Sequence, residues 1–286
     1  MHEQPIRHFF TDIDNTFDGD WVKMHAEGMK AMTEGLVDST GFPYEEVRNS
    51  IREVYKGAKT MEFPPLIQSM DIYKDLDKDE LLDLIMMSQN IYDEVRERVW
   101  TINPELLEFF YMLKMEGVNI HVLTDAPMLS ALKRVEIADM FEMANTIAAY
   151  RDVMQDIMPH TYKQKMARVN REHPDTKIIE LQDHKPNHDV GKIFGISQVD
   201  IETASGLLDD SSRKGMQQVK NSNMRWGFFV RYGRPSDQDW EALMDFSPRP
   251  SHAEAPTDEV LTENGKYNIL SIHRPSDLER ILFSPK

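Results

Sequence analysis

The period of the apolar positions changes twice along this chain. The pair Phe9-Phe10 forms a short apolar run that ends at Asp12, Ile13 and Asp14, the pattern of a buried strand emptying into a loop. Over residues 21–99 no comparable run follows. Met, Leu and Ile recur there at helical spacing, as in Leu81-Leu82, Leu84-Ile85 and Met86-Met87, which predicts an all-helical stretch broken at Pro64-Pro65. Its Met and aromatic positions read as helix-packing core. Asn103-Pro104 opens a further helix that carries Leu106, Leu107, Phe110 and Leu113 to a stop near Gly117. Beyond Gly117 strands and helices alternate. Residues 118–123 read as a strand, a helix starts at Met128, and further strands are expected at 146–149, 178–179, 206–208, 226–230 and 267–272, with helices at 212–219 and 277–282. Such βα alternation predicts a mostly parallel sheet. Residues 151–176 are polar with helical character, 247–259 read as a loop rich in proline and acid, and no internal repeat is evident.

The expected fold class is therefore α/β: a Rossmann-like core of residues 1–17 and 105–286, with an all-α unit of residues 18–104 inserted in it. At 286 residues the chain is long enough for both. With no cysteine, disulfides and thiolate chemistry are excluded, leaving carboxylate, histidine, hydroxyl and lysine groups to react. The 33 Lys and Arg against 49 Asp and Glu give a formal net charge of -16, which disfavours nucleic-acid backbones and anionic membranes as partners. No apolar stretch approaches the ~20 residues of a membrane helix and none follows a basic N-terminus, so the expected protein is soluble, unprocessed and cytoplasmic.

Ligands of open α/β sheets bind beyond the carboxyl ends of strands, so polar residues directly after apolar runs point to a site. Asp12 and Asp14 follow the first run, Thr124 follows 120–123, and Asp209-Asp210 follow Leu207-Leu208. Carboxylates gathered in one place repel one another unless a cation sits among them. Oxygen ligands without cysteine favour magnesium over zinc. The implied ligands are a divalent ion and an anionic substrate. The spacing of His160, His173, His184 and His188 matches no metal-ligand pattern, and they read as surface histidines.

Phe9-Phe10-Thr11-Asp12-Ile13-Asp14-Asn15-Thr16 resembles the first motif of the haloacid dehalogenase superfamily, an apolar strand followed by Asp-x-Asp-x-Thr. In order along the chain, Thr124 resembles its second motif, Lys185-Pro186 its third and Asp209-Asp210 its fourth. Lys163, Lys165, Lys177 and Lys192 share the interval with Lys185. The fourth motif departs from the Gly-Asp form that carries a second acid four residues later, since Arg213 and Lys214 stand there; the adjacent-acid form must apply.

The resemblance implies a phosphatase with Asp12 as nucleophile and Asp14 as general acid and base. Thr124 and Lys185 would hold the phosphoryl oxygens, with Thr16 and Asp125 also on the phosphate side. Mg2+ would be bound by Asp12, the Asp14 carbonyl, Asp210 directly, and Asp209 directly or through water. The helical insert would be a cap of four or five helices over the catalytic face, with Lys23, Lys30, Arg48, Arg52, Lys56 and Lys59 as candidate substrate contacts. A small phosphorylated metabolite is the expected substrate. A phosphomutase on the same fold and a catalytically silent binding protein are the alternatives; Asp14 argues against a true dehalogenase.

Overall fold

The computed structural model describes residues 5–17, 20–57, 64–232, 236–247 and 268–283. Seven strands among them form one sheet in the order β4-β3-β2-β1-β5-β6-β7. They are β1 (His8–Thr11), β2 (Asn119–Pro127), β3 (Ala144–Tyr150), β4 (Lys177–Leu181), β5 (Ser205–Asp209), β6 (Trp226–Val230) and β7 (Asn268–Ile272). Every pairing is parallel, where the sequence predicts a mostly parallel sheet. Strand order runs outward from β1 in both directions, so the topological switch lies at β1, beside β2 and β5. That is where doubly wound sheets open a crevice at their carboxyl ends.

The helices are α1 (Trp21–Thr40), α2 (Tyr44–Gly57), α3 (Lys78–Val99), α4 (Pro104–Met115), α5 (Met128–Ile137), α6 (Met154–Ile157), α7 (Pro159–Glu172), α8 (Val190–Phe194), α9 (Gln198–Ala204), α10 (Gln217–Ser222), α11 (Asp237–Met244) and α12 (Pro275–Phe283). The polar stretch at 151–176 is thus largely α6 and α7. Tyr267, expected in the last strand, and 248–259 of the expected loop lie outside the described residues.

The chain separates into two compact units, one of Met1–Asp18, Ile102–Arg234 and Ala255–Lys286, the other of Gly19–Thr101 with Pro235–Glu254. In the first, successive residues of β1 point to opposite faces, and both faces are apolar. Phe9 meets Phe109 edge-on at 5.4 Å and stacks on Phe228 at 5.7 Å. Phe10 meets Phe194 edge-on at 5.0 Å, within a cluster that includes Leu123, Leu181, Leu207 and Val219. Both phenylalanines are fully buried. A strand covered on both sides must read as a continuous apolar run, which is why the pair is so visible in the sequence. Asn103 Oδ1 accepts the N–H of Glu105 at 3.0 Å and caps α4, where Pro104 needs no donor.

In the helical unit α1 packs on α3. A Cβ on Gly28 would approach the Tyr92 ring to 2.8 Å, and one on Gly35 would come within 2.5 Å of Ile91 Cδ1. The two glycines are seven residues apart, so they lie on one face of α1 and let α3 approach closely. Asp77 and Glu80 form a capping box that starts α3. In this division α11, expected in the core, falls with the helical unit, where it packs on α1, and the units meet at 18/19 and 101/102. Where four or five helices are expected, the described residues of the helical unit hold α1, α2 and α3, two short 3-10 turns at Pro64–Ser69 and Asp71–Tyr73, and α11 from far along the chain.

Candidate active site

The loop after β1 is shaped by its own hydrogen bonds. Asn15 adopts the left-handed conformation, which asparagine tolerates better than most residues, and the N–H groups of Thr16 and Phe17 both return to Ile13 O, at 3.2 and 2.9 Å. Ile13 is fully buried and anchors the turn between Asp12 and Asp14. The N–H of Asp12 donates to Leu208 O at 2.9 Å and ties the loop to β5.

Lys185, from the segment after β4, is the lysine that reaches Asp12. Its Nζ lies 3.1 Å from Asp12 Oδ1 and donates to Asp209 Oδ2 at 2.6 Å. Lys163, Lys165, Lys177 and Lys192 are all exposed. Burial works against the Lys185 ammonium, but Asp12, Asp209 and Asp125 outweigh it and hold the group above its ordinary pKa. Burial pushes Asp209 up to about 6 despite Lys185, with the charge of Asp12 adding to the effect. Asp210 is raised well above the usual carboxylate range, first by desolvation and then by Asp209 and Asp12. One carboxylate oxygen from each of Asp12, Asp209 and Asp210 falls within 4.8 Å of the others, a group that could hold a metal ion. Asp12 Oδ1 is buried and accepts no hydrogen bond in spite of its lysine neighbour. A buried oxygen that accepts no hydrogen bond and two carboxyls raised by desolvation and by neighbouring negative charge are what a hard cation would relieve, so this donor set fits magnesium.

Asp209 can occupy its place only because residue 215 is glycine: a Cβ there would overlap the Asp209 carboxyl carbon. Gly215 is absent from the sequence-derived site. A glycine within an expected helix just after an acidic pair is the signal that could have found it.

Thr124 and Asp125 lie at an irregularity of β2, where the register to β3 shifts between Thr124 and Pro127, a feature that re-aims side chains. Thr124 is buried, and its Oγ1 accepts the N–H of Ala126 at 3.2 Å. The Asp125 carboxylate is engaged by the protein itself: Oδ1 accepts the Lys185 N–H at 2.9 Å, and Oδ2 accepts Lys214 Nζ at 2.9 Å. His184 Nδ1 and His188 Nε2 lie 3.7 and 3.9 Å from Oδ1. Burial alone would raise the Asp125 carboxyl, but these two histidines and then the two lysines hold it far below the usual range.

The surface reading of the histidines is therefore corrected in part. His188 is buried, and His184 is half-buried and stacked on Tyr150 at 3.9 Å. His173 stacks on Phe141, and His160 is exposed. Asp14 Oδ1 lies 2.8 Å from Nη1 of the buried Arg134 on α5, a partner that the sequence did not suggest. Thr16 is buried, and its carbonyl accepts the Tyr232 hydroxyl at 3.2 Å.

Of the cations considered in the helical unit, Lys23, Lys30, Arg52 and Lys56 are exposed and Arg48 half-buried; Lys59 lies outside the described residues. Arg52 donates to Asp245 O at 3.1 Å, just past α11. Among the described residues no helix is long and apolar enough to cross a membrane.

No family model and no curated protein matches the chain. Solved structures do. A predicted phosphoglycolate phosphatase from Haemophilus somnus superposes with a TM-score of 0.52 at 11% identity, covering 96% of this chain and 97% of that one. A Thermotoga maritima protein designated a β-phosphoglucomutase gives 0.49 at 15% identity over 85% and 93% of the two chains. A haloacid dehalogenase-like hydrolase from Streptococcus pneumoniae gives 0.42 at 11% over 96% and 98%. The likeness to the Haemophilus somnus structure is one of fold, an α/β core with a parallel sheet, and an identity this low speaks for fold alone.

Proposed function

We propose that the protein is a magnesium-dependent phosphatase that moves the phosphoryl group of a small phosphorylated metabolite first to Asp12 and then to water. The observation that carries this reading is the meeting of Asp12, Lys185, Asp209 and Asp210 at the topological switch of the sheet. Five carboxylates of the site (Asp12, Asp14, Asp125, Asp209, Asp210) face three fixed cations (Lys185, Lys214, Arg134), an excess that one divalent ion matches.

Asp12, Asp209 and Asp210 would hold the ion, with the Asp14 carbonyl as a further ligand. When bound, magnesium supplies charge neutralisation between the nucleophile and the phosphate. Asp12 attacks phosphorus and forms an aspartyl-phosphate, splitting one hard displacement into two. Lys185 lies 3.1 Å from Asp12 Oδ1 and faces the phosphoryl oxygens together with Thr124. Asp14 protonates the leaving oxygen and then takes a proton from the attacking water, while Thr16 orients the loop. Such assistance is worth about 10²- to 10⁴-fold. The helical unit is proposed as the cap that contributes substrate contacts and excludes water.

A phosphate-release assay on an aryl phosphate and a panel of small phosphorylated metabolites, with magnesium or with excess chelator, tests the reading. Turnover that depends on magnesium and is abolished in Asp12→Asn is expected. Undiminished release in chelator would overturn it, and transfer back to substrate with no free phosphate would mark a mutase.

A further inference from the structure

We propose that Asp125 is the positioning residue of Lys185, and that Lys214 is its counter-ion, so that this pair rather than the lysine's own segment sets how the site grips phosphate. The inference deepens the phosphatase reading and rests on it for the identity of the anion. Lys185 belongs to residues 182–189, which run between β4 and α8 without regular structure. A lysine side chain brings about 2 kcal/mol of rotamer freedom, and a loop backbone adds its own. Yet Lys185 Nζ is held at 2.6 Å from Asp209 and 3.1 Å from Asp12, which requires that the backbone beneath it be fixed.

Side chains on both sides of residue 185 fix it, and Asn221 of α10 also donates to Pro186 O at 2.9 Å. Asp125 Oδ1 accepts the Lys185 N–H at 2.9 Å, binding the loop to the irregular end of β2. On the other side of residue 185, Gln218 of α10 clasps the backbone of His188, accepting its N–H at 3.1 Å and donating to its carbonyl at 2.8 Å. Asp125 alone would add a further negative charge beside Asp12, Asp209 and Asp210, in a place where a phosphate must also fit. Lys214, at 2.9 Å from Oδ2, cancels it. His184 and His188 enclose the remaining side of Oδ1. One carboxylate thereby joins the carboxyl end of β2, the Lys185 segment and the segment after β5. A carboxylate is suited to this because its two oxygens accept from two directions at once, where a threonine or asparagine would leave one partner unmatched. The Lys214 ammonium is 39% exposed at its side chain, so it is the partner that solvent and ligands can reach.

The experiment uses the full chain and the variants Asp125→Ala, Asp125→Asn and Lys214→Met. Two measurements are made on each: hydrogen exchange of the peptide covering 182–189, and the affinity for inorganic phosphate by calorimetry in the presence of magnesium. Asp125→Ala should speed exchange of that peptide at least 10-fold and weaken phosphate binding by a similar factor, with the exchange of β1 and β5 peptides unchanged. Asp125→Asn retains an oxygen for the Lys185 N–H and removes the charge that Lys214 offsets, so it should keep most of the protection and most of the phosphate affinity. Lys214→Met leaves the Asp125 carboxylate uncompensated and should weaken phosphate binding, and adding Asp125→Asn to it should restore much of that loss. Unchanged protection and unchanged phosphate affinity in Asp125→Ala would overturn the proposal, as would a double variant that binds phosphate no better than Lys214→Met. If Asp125→Ala does not fold, the Asp125→Asn and Lys214→Met pair still decides. A wild-type chain that binds phosphate but releases none from any substrate would defeat the phosphatase reading and leave these measurements intact.

Discussion

Arg134 Nη1 lies 2.8 Å from Asp14 Oδ1, joining a fully buried guanidinium on α5 to the carboxylate assigned to proton transfer, which is 26% exposed. A buried arginine cannot give up its proton, so its counter-ion is a structural requirement as well as a chemical group. Asp14→Asn therefore removes two things at once, the acid-base group and part of the compensation of Arg134. Arg134→Met separates them, since it keeps the Asp14 carboxyl but releases its orientation. Turnover of an alkyl phosphate should fall by on the order of 10²-fold, the scale expected for a misplaced catalytic group. Magnesium and phosphate affinity should stay within about twofold. Arg134→Lys, which restores a point charge without the planar fork, should recover part of the loss. Steady-state kinetics with an alkyl and an aryl phosphate checks this; equal losses on both leaving groups would mean that Arg134 serves the fold and not Asp14.

If the proposed site holds magnesium, removing the cation and removing the proposed ligand Asp210 should have opposite effects on stability. Asp210 is raised well above the carboxylate range by desolvation and by its neighbours Asp209 and Asp12, so the metal-free protein holds repelling groups together. Asp210→Asn relieves that repulsion. In chelator its melting temperature should rise above wild type by a few degrees, about 1 kcal/mol, while the stabilisation that magnesium gives the wild type should largely vanish. Thermal melts with and without magnesium give both numbers. A variant less stable in chelator and equally responsive to magnesium would remove Asp210 from the site.

Gly215→Ala tests how tightly Asp209 is enclosed. The added Cβ overlaps the Asp209 carboxyl, and Asp209 closes β5 with no room to retreat, since its Oδ1 also accepts the Ser211 N–H at 2.8 Å. Overpacking of this kind costs about 1–3 kcal/mol, and any relaxation must move a proposed cation ligand. A destabilised protein with phosphate release reduced more than 10-fold is expected from urea titration and kinetics together. Wild-type values in both would show that the segment after β5 can yield.

The sheet and the first-strand aspartates were legible because local sequence carries them: a strand buried on both faces must be apolar throughout, as Phe9 and Phe10 are, and the polar residue after it marks the carboxyl end. Lys185 could be chosen among its neighbours only by position along the chain, whereas in the fold it is set apart by burial. Arg134 was not legible at all. It lies in an amphipathic helix where an arginine reads as solvated, and only the packing of α5 near the loop after β1 gives it a partner. The same holds for His188, whose backbone is clasped by Gln218 thirty residues away, and for α11, whose place on α1 is a contact across most of the chain. Long-range contacts of this kind leave no periodicity behind.

His121 gives the core unit a pH dependence of stability unconnected with the proposed catalytic groups. It lies on β2 between Phe10, at 4.9 Å, and Phe194, at 5.1 Å, and shares a hydrogen bond with His8 at 3.2 Å. Burial lowers its pKa to about 3, with His8 adding to the effect, while in the unfolded chain it returns to about 6.5. Between these values the unfolded chain binds a proton that the folded chain refuses. Stability is therefore unaffected by His121 above about pH 6.5, declines as the pH falls below it, and stops declining from this cause near pH 3. At pH 5 the loss from this one group is on the order of 2 kcal/mol relative to pH 7.5. His121→Phe keeps an aromatic ring between Phe10 and Phe194 and removes the titration, at the cost of the bond to His8. Global hydrogen exchange of the β1 and β2 peptides at pH 7.5 and pH 5, corrected for intrinsic rates, should show wild type losing about 2 kcal/mol more than the variant over that interval. Equal losses in the two proteins would mean that His121 takes up its proton without unfolding, and that the stack around it opens more readily than its burial implies.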